Sequence, residues 1–294
     1  MSKTILTKKI LYWYDNNKRE LPWRKKNSQI KREYYTLVSE FMLQQTQVTT
    51  VIPYFNNFIK NIPNLTALSK INESKLLKYW EGLGYYSRVK NLKKTANIVK
   101  KNFNGRLPST IDELKLLPGI GDYTACAIMA IAFNKSFIPL DGNIERVIKR
   151  LLNLKLISQV SKENLTKQKK ILGTSIRASD YAQALMELGA LICKPKNPLC
   201  FKCPVKRNCK SFRNNNFEII KDRKKKIDKF YKLKVYKKGN QFLLIKNTKF
   251  NFLKNFKIFP MYEISKKNNL EKNLNFKISN MNMNITIQFN KIKG

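Results

Sequence analysis

The spacing of apolar residues changes once along this chain of 294 residues, and the change sets the fold class. From residue 8 to about residue 215, apolar residues recur at helical spacing, and short turns containing Gly or Pro separate the segments. After a basic stretch, residues 230–235, 241–245 and 284–289 alternate apolar and polar side chains, as half-buried strands do. The pattern predicts a mainly α protein with a helical domain over 1–215, a linker over 216–229 and a small strand-rich region over 230–294.

The charge balance and the lack of histidine narrow the possible chemistry. The chain carries 59 Lys and Arg against 19 Asp and Glu, a net charge of +40. Such an excess favours a polyanionic partner, but a surface rich in Lys, Asn and Ile is also what an AT-rich genome encodes at unconstrained positions. Without a histidine, the sequence excludes a Ser-His-Asp triad and any His-ligated metal. Carboxylate, lysine, tyrosine and thiolate remain for catalysis.

The sequence contains no recognisable targeting or membrane signal. No apolar run approaches the ~20 residues of a membrane-spanning helix, and the N-terminal residues alternate charge with aromatic side chains. These features predict a cytoplasmic protein, in a reducing compartment where clustered cysteines bind metal more often than they form disulfides.

Four of the five cysteines fall close together, at Cys193, Cys200, Cys203 and Cys209. Four thiolates without a histidine suit a tetrahedral zinc ion or a [4Fe–4S] cluster. Structural zinc sites usually present two close pairs, whereas only Cys200 and Cys203 are close here, and this uneven spacing favours the [4Fe–4S] cluster. The fifth cysteine, Cys126, lies in an apolar helical segment and is predicted to belong to the core.

A glycine-containing turn, Leu117-Pro118-Gly119-Ile120-Gly121, lies between two predicted helices within residues 109–132. The glycines allow a tight turn and a close approach of the backbone to a ligand. The N–H groups that begin the second helix are suited to bind a phosphate without reading sequence. An ordinary turn is also compatible with this pattern, but the nearby lysine and the downstream cysteines favour a hairpin that binds DNA.

Two carboxylates stand in different sequence contexts. Glu40 lies in a mostly apolar helical segment, where desolvation is expected to raise its pKa and keep a proton available near neutrality. Asp141 precedes a predicted helix, whose N-terminus is expected to lower the pKa and keep the carboxylate ionised. Glycoside cleavage uses such a pair. From the local sequence alone, a solvent-facing Glu40 and a plain N-cap at Asp141 remain open.

Several motifs follow one another in the order found in a known family. They are Leu21-Pro22-Trp23-Arg24, Ser39-Glu40-Phe41-Met42-Leu43-Gln44-Gln45-Thr46-Gln47-Val48, Trp80-Glu81-Gly82-Leu83-Gly84-Tyr85-Tyr86-Ser87-Arg88, Leu117-Pro118-Gly119-Ile120-Gly121-Asp122-Tyr123-Thr124-Ala125, Leu140-Asp141-Gly142-Asn143 and the four cysteines. Together they resemble the adenine DNA glycosylases of the MutY type, within the helix-hairpin-helix superfamily. The resemblance implies that superfamily's fold, a six-helix barrel with an iron–sulfur helical domain.

The resemblance also implies an activity, the removal of adenine mispaired with 8-oxoguanine or guanine in double-stranded DNA. Because the scissile bond lies inside the duplex, the adenine must first be flipped out. Glu40 would then protonate N7 of the adenine, and Asp141 would stabilise the oxocarbenium-like sugar, with Tyr123 and Asn143 as supporting hydrogen-bonding residues. Endonuclease III has a Schiff-base lysine at the position of Tyr123, so the tyrosine predicts a monofunctional glycosylase that leaves the strand intact.

The remaining implications concern ligands and partners. By resemblance, Gln183 contacts the adenine, and Gln45 and Tyr85 wedge into the base stack. The cysteine loop, residues 193–209, is expected to hold a [4Fe–4S] cluster, and the protein is expected to be a monomer. The other residues matched to substrate or DNA binding are Arg24, Gln44, Thr46, Leu83, Ser87, Arg88, Gly119 and Gly121.

The sequence departs from the family pattern at two places. The spacing between Trp23 and Ser39 is longer than usual, which predicts a small loop insertion at residues 25–31. The C-terminal region is too short for the family's Nudix-like domain, and its turn for reading 8-oxoguanine corresponds to Asn280-Met281-Asn282, so weaker discrimination between 8-oxoguanine and guanine is expected. Two alternatives stay open: an endonuclease III-like glycosylase and lyase for oxidised pyrimidines, and a non-catalytic iron–sulfur DNA-binding protein.

Overall fold

The computed structural model describes residues 3–25, 27–154, 169–217, 227–250, 252, 256–265, 273–278 and 281–291. The chain divides into two compact units, Met1–Ile220 and Lys221–Gly294. The first is helical and the second is built from strands, which confirms the predicted fold class. Most of the predicted linker, residues 218–226, lies outside the described residues. No helix in the described ranges is long and apolar enough to cross a membrane.

The first unit consists of helices joined by short turns, several of them begun by Asn, Thr or Asp side chains that cap free N–H groups. A π-helix over Leu188–Ile192 directly follows the α-helix Ala178–Glu187. In the part of this unit that the structure describes, the α-helices are α1 (Lys3–Asn17), α2 (Gln29–Leu43), α3 (Val48–Asn61), α4 (Leu65–Lys70), α5 (Glu73–Lys78), α6 (Ser87–Asn102), α7 (Ile111–Lys115), α8 (Asp122–Ile131), α9 (Gly142–Leu152), α10 (Ala178–Glu187) and α11 (Lys210–Arg213).

Two apolar clusters form the core of this unit. One is built around α2, α3, α6 and α8, and the other around α1, α9 and α10. The helix α2 is buried on nearly every face, because apolar residues such as Leu37, Val38 and Phe41 surround its axis. A polar residue on this helix is therefore desolvated by its neighbours.

The hairpin joins α7 to α8 through residues 116–121. Gly119 has a φ of +84°, and a Cβ at this position would lie 2.8 Å from Cε1 of Phe41. Both conformation and space therefore require glycine there. The exposed Gly121 precedes α8 and supplies no side-chain cap, so the first N–H groups of α8 lie at the surface of the hairpin.

The second unit contains a sheet of five strands and a separate two-stranded pair. The strands are β1 (Ile227–Lys238), β2 (Gln241–Phe242), β3 (Ile245–Lys246), β4 (Lys257–Ile258), β5 (Met261–Ile264), β6 (Asn273–Ile278) and β7 (Met281–Lys291). The order is β2-β1-β7-β6, with β1 and β7 parallel, β5 antiparallel to β1, and β3 paired with β4. Two of the predicted alternating segments lie in β1 and β7, and the third is divided between β2 and β3.

The turn predicted at about Asn280-Met281-Asn282 falls where β6 ends and β7 begins. Asn280 lies outside the described residues, while Met281 and Asn282 belong to β7. Met281 pairs with Ile278 of β6 and with Ile227 of β1. Met281 and Asn282 thus begin β7, and the antiparallel pairing of Met281 with Ile278 agrees with a chain reversal directly before this strand.

Candidate active site

A cavity of about 900 Å³ opens in the first unit beside α2. Its walls come from α2 and the loop after it, from the start of α8, from the turn before α9, and from α10. The cavity collects nine of the residues that the sequence predicts for catalysis or binding: Arg24, Glu40, Gln44, Gln45, Thr46, Tyr123, Asp141, Asn143 and Gln183.

Glu40 lies on α2 with its side chain turned into this cavity, and the residue is only 5% exposed. The pKa of Glu40 is raised to about 7, because burial and then the Asp141 carboxylate raise it by more than the hydrogen bond from Tyr123 and the charge of Arg24 lower it. Oxygen Oε2 of Glu40 has no hydrogen-bond partner within the described residues. The predicted rise in the pKa of Glu40 is confirmed, and the carboxyl can hold a proton at neutral pH.

Asp141 faces the same cavity from the N-terminus of α9. Its Oδ1 accepts a hydrogen bond of 2.7 Å from the N–H of Ile144, and its Oδ2 accepts one of 2.9 Å from Nδ2 of Asn143. Burial nevertheless raises the pKa of Asp141, and the hydrogen bonds and the nearby Arg146 only oppose that rise. The expectation of a lowered pKa is therefore wrong, because desolvation outweighs the helix N-terminus.

The two predicted supporting residues each contact one carboxyl group. The Tyr123 hydroxyl hydrogen bonds to Glu40, and the tyrosine's own pKa is raised, first by burial and then by the two carboxylates. Asn143 donates to Asp141 and accepts a hydrogen bond of 2.7 Å from Nη2 of Arg146. The same guanidinium donates to the backbone oxygens of Gly189 and Cys193, both at 2.6 Å. The turn that carries Asp141 is thus tied to the start of the cysteine loop.

The sequence analysis did not identify two charged residues of the cavity wall, Glu187 and Arg19. Glu187 is fully buried at the end of α10, where Nε and Nη2 of Arg19 each donate to it at 2.9 Å. Arg24 forms a second ion pair with Glu187, also at 2.9 Å. Glu187 could have been identified from the sequence as a buried carboxylate, because it lies in an apolar helical segment as Glu40 does.

The residues predicted to enter the DNA lie on two exposed loops. Gln45 has a φ of 57° and Tyr85 a φ of 47°, and both are exposed. Ser87 is exposed at the first turn of α6, and Gly119 and Gly121 are exposed on the hairpin. Gln183, by contrast, is buried in the cavity wall, and its amide nitrogen donates to Ser179 of its own helix.

Leu83 and Arg88 do not fit the predicted contact with DNA, because they are only 5% and 6% exposed. Leu83 belongs to the apolar core. The guanidinium of Arg88 donates to backbone oxygens inside the protein, including those of Met42 at 2.7 Å and Leu83 at 3.0 Å. The sequence could not distinguish an arginine that binds phosphate from one that binds the protein's own carbonyl groups.

The four clustered cysteines lie half-buried beside α9. Burial raises the pKa of Cys203 to about 12, and the other three thiols add to the rise. Nη1 of Arg150 lies 3.5 Å from Sγ of Cys193, and the thiol of Cys209 donates to the backbone oxygen of Arg150. Within the described residues, no group of three or more His, Cys, Asp or Glu side chains is arranged to hold a metal ion.

Comparisons with protein families and curated sequences match this chain to base excision DNA repair proteins and adenine DNA glycosylases. Residues 38–170 match the family described as HhH-GPD superfamily base excision DNA repair protein. An adenine DNA glycosylase from Buchnera aphidicola subsp. Baizongia pistaciae is 42% identical over 77% of this chain and 64% of its own length. One from Buchnera aphidicola subsp. Schizaphis graminum is 36% identical over 90% of this chain and 76% of its own. The human adenine DNA glycosylase is 40% identical, but the chain covers only 38% of its length.

Solved structures share the fold of the helical unit. A thermostable thymine-DNA glycosylase has a TM-score of 0.63 at 25% identity, covering 72% of this chain and 97% of that one. A trapped covalent intermediate of endonuclease III with DNA has a TM-score of 0.59 at 20% identity, covering 73% and 99%. At 20% identity, the match to endonuclease III supports only a shared fold.

Proposed function

Because the chain belongs to the adenine DNA glycosylase family, within the HhH-GPD superfamily of base excision DNA repair proteins, we propose that it excises adenine from double-stranded DNA. The observation that carries the proposal is the pair of buried carboxyl groups on one cavity, Glu40 and Asp141. Neither residue is needed merely to bind a phosphate backbone, so their placement favours an enzyme over a non-catalytic DNA-binding protein.

The substrate would enter the cavity as a flipped nucleotide. An N-glycosidic bond inside a duplex is shielded by stacking, so the adenine has to leave the stack before Glu40 can reach it. The exposed side chains of Gln45 and Tyr85 are proposed to replace the extruded base in the stack. Gln183 lines the cavity and has a side-chain oxygen available to accept a hydrogen bond from an adenine amino group.

The reaction proposed here is hydrolysis with a charged sugar intermediate. Glu40 donates its proton to N7 of adenine, the bond between C1′ and N9 breaks, and the electron pair of that bond leaves with the neutral base. The cationic C1′ is stabilised by the Asp141 carboxylate until water adds and releases a proton. The roles of Tyr123 and Asn143 are to orient Glu40 and Asp141, respectively.

The absence of a suitable amine favours a monofunctional enzyme. A lyase needs a lysine or another amine that forms a Schiff base with C1′. Tyr123 occupies the position where endonuclease III has that lysine, and no lysine lines the cavity in the part of the chain that the structure describes. The expected product is an abasic site in an intact strand.

The preferred opposite base is proposed to be 8-oxoguanine or guanine, with reduced discrimination between them. The second unit would perform the reading, and it is small, with a five-stranded sheet and one additional strand pair. The chain spans 64% of the Baizongia relative and 38% of the human one, so part of what those proteins contain has no counterpart in the matched region.

We propose a [4Fe–4S] cluster for the cysteine loop because its four thiols are the donor set of such a cluster, and binding would have to draw them together, since in the described residues they are not arranged around one metal ion. Cys193, Cys200, Cys203 and Cys209 would hold it, and these half-buried thiols interact with one another electrostatically. The raised thiol pKa values mean that binding would release protons. When bound, the cluster would supply four strong cross-links to this loop. Iron and sulfide analysis of the purified protein tests the assignment, and zinc without iron would contradict it.

The experiment that tests the proposed function uses a duplex with one adenine opposite 8-oxoguanine. The protein is added in excess, and strand breaks are measured before and after hot alkali. Breaks that need alkali support a monofunctional adenine glycosylase. Breaks without alkali would instead indicate the lyase alternative, and no breaks in either lane, from protein that binds the duplex, would indicate a binding protein only.

A further inference from the structure

Arg88, on the first turn of α6, is a buried cation with no carboxylate partner among the described residues. Its Nη1 donates to the backbone oxygens of Met42 at 2.7 Å and Gln44 at 2.5 Å, and to Oγ1 of Thr46 at 3.1 Å. Its Nη2 donates to the backbone oxygens of Leu83 and Gly84 at 3.0 and 3.1 Å. One guanidinium therefore bonds the loop at residues 44–46 and the loop at residues 83–85 simultaneously.

The position of this cation explains how it tolerates burial without an ion pair. The carbonyl groups that accept from Nη1 include those of the last turn of α2, which have no partners inside the helix. A cation is favourable at a helix C-terminus. The guanidinium also lies 5.5 Å from the Trp80 ring centroid and 5.3 Å from that of Tyr85.

Each of the two loops holds one exposed residue in the left-handed backbone region, Gln45 in the 44–46 loop and Tyr85 in the 83–85 loop. This conformation is uncommon for residues other than glycine, and it persists when surrounding contacts over-determine it. Arg88 supplies those contacts on both sides, because it bonds the residues directly before Gln45 and Tyr85.

We infer that Arg88 is a positioning residue that locks the 44–46 loop and the 83–85 loop into one unit, so that Gln45 and Tyr85 enter the base stack together. The inference rests on the proposed function, since it concerns how the adenine is extruded. Arg88 itself does not touch the DNA, because both of its terminal nitrogens are engaged with protein oxygens and the residue is buried. A side chain with a single nitrogen would not reach both loops in this geometry.

The hairpin at residues 116–121 also packs against α6, the helix that carries Arg88. Asn91 packs beneath Gly119, with its Cβ 3.0 Å from where a glycine Cβ would lie, and Thr95 donates to the backbone oxygen of Pro118 at 3.0 Å. Residues 88, 91 and 95 share one face of α6. This face of α6 therefore supports both insertion loops and the hairpin.

The test measures base flipping apart from chemistry. A duplex carries 2-aminopurine in place of the adenine opposite 8-oxoguanine, and the rise in fluorescence on mixing with excess protein reports unstacking. Arg88→Lys is compared with Lys93→Met, a control on the same helix that removes a lysine bonded to the backbone oxygens of Ser69 and Ile71, far from the two loops in sequence. We expect Arg88→Lys to slow the rise about tenfold and Lys93→Met to change it less than about twofold.

A second substrate separates positioning from a general loss of structure. In a duplex with the 2-aminopurine in an unpaired bulge, extrusion costs less, so the defect of Arg88→Lys should shrink to less than about threefold. Equal defects on both substrates, or a rate for Arg88→Lys that matches the control, would overturn the inference. If Arg88→Lys does not fold, Thr46→Val removes one acceptor of the same guanidinium and should give a smaller defect confined to the paired substrate.

The outcomes also separate this inference from the proposed function. Fluorescence that rises with wild type while adenine is never released would overturn the proposed function, and the comparison of variants would still decide the role of Arg88. A wild-type protein that binds the mispaired duplex without any fluorescence rise would overturn the inference itself.

Discussion

The α2 wall of the cavity and the turn before α9 each present one buried carboxyl group, but they surround it with different numbers of hydrogen-bond donors. Glu40 on α2 receives a hydrogen bond from Tyr123, and its Oε2 has no partner among the described residues. Asp141 receives bonds from the N–H of Ile144 and from Asn143. Burial raises the pKa of both groups, and the hydrogen bonds to each carboxyl group oppose that rise.

The position of each residue along its helix explains the difference. Inside α2, every backbone N–H is already bonded to a carbonyl oxygen one turn earlier, so none is left for the Glu40 carboxyl. Asp141 occupies the N-cap of α9, where the first N–H groups are free to bond its side chain. The N-cap hydrogen bonds therefore oppose the rise that burial causes in the pKa of Asp141, whereas a single hydrogen bond, from Tyr123, opposes it at Glu40.

The largest expected effect comes from removing the proton donor. Glu40→Gln keeps the size of the side chain and an oxygen for the Tyr123 hydrogen bond, but it has no carboxyl proton to donate. We expect the single-turnover rate of adenine release to fall about 10³-fold while affinity for the mispaired duplex is unchanged. A rate within about tenfold of wild type would show that Glu40 is not the general acid.

A smaller loss of adenine release is expected when the charge of Asp141, in the turn before α9, is removed. Asp141→Asn removes the charge that stabilises the sugar cation but keeps an oxygen that can accept the N–H of Ile144. Adenine release should fall about 10²-fold with little change in melting temperature. A variant with wild-type turnover would argue that burial of Asp141 serves only the N-cap.

Substitution of Gly189 tests how the turn before α9 is held. A Cβ at Gly189 would lie 2.5 Å from Cβ of Asn143 and 2.8 Å from its backbone oxygen. Gly189→Ala should therefore displace Asn143, slow adenine release about tenfold and cost about 1–3 kcal/mol of stability. Ala190→Gly, one residue further along the π-helix, serves as the control for backbone flexibility, and equal turnover in the two variants would contradict the steric argument.

The smallest expected effect is a shift in pH dependence. Only the protonated Glu40 is active, so the rate should fall as pH rises through about 7. Because the Tyr123 hydrogen bond lowers the pKa of Glu40, its removal in Tyr123→Phe should move this limb upward by about one pH unit. A pH–rate profile of both proteins measures the shift, and a downward shift would mean that Tyr123 stabilises the protonated form.

The sequence predicted the features that depend on local pattern. The apolar neighbours of Glu40 correctly indicated a raised pKa, and the change in periodicity correctly separated the helical from the strand-rich unit. The wrong predictions all depended on tertiary packing. Burial of Asp141 reverses the effect of its helix N-terminus, and burial of Arg88 turns an apparent DNA contact into an internal one.

The local sequence around Glu187 also indicates a buried carboxylate. It stands among apolar residues of α10, and the structure pairs it with Arg19 and Arg24 from a distant part of the chain. The helical pattern indicates that a buried carboxylate needs a partner, but it does not identify which arginine supplies the charge. Contacts between residues so distant in sequence can be identified only once the fold is known.

The measurement that tests the central claim most directly is the titration of Glu40 itself. Side-chain carboxyl carbons of glutamate are labelled with ¹³C, and the Glu40 signal is identified by its absence in Glu40→Gln. We expect this signal to titrate at a pH of about 7 in the free protein. Titration near the ordinary value of 4.5 would contradict the role of Glu40 as proton donor, because its carboxyl group would then hold no proton at neutral pH.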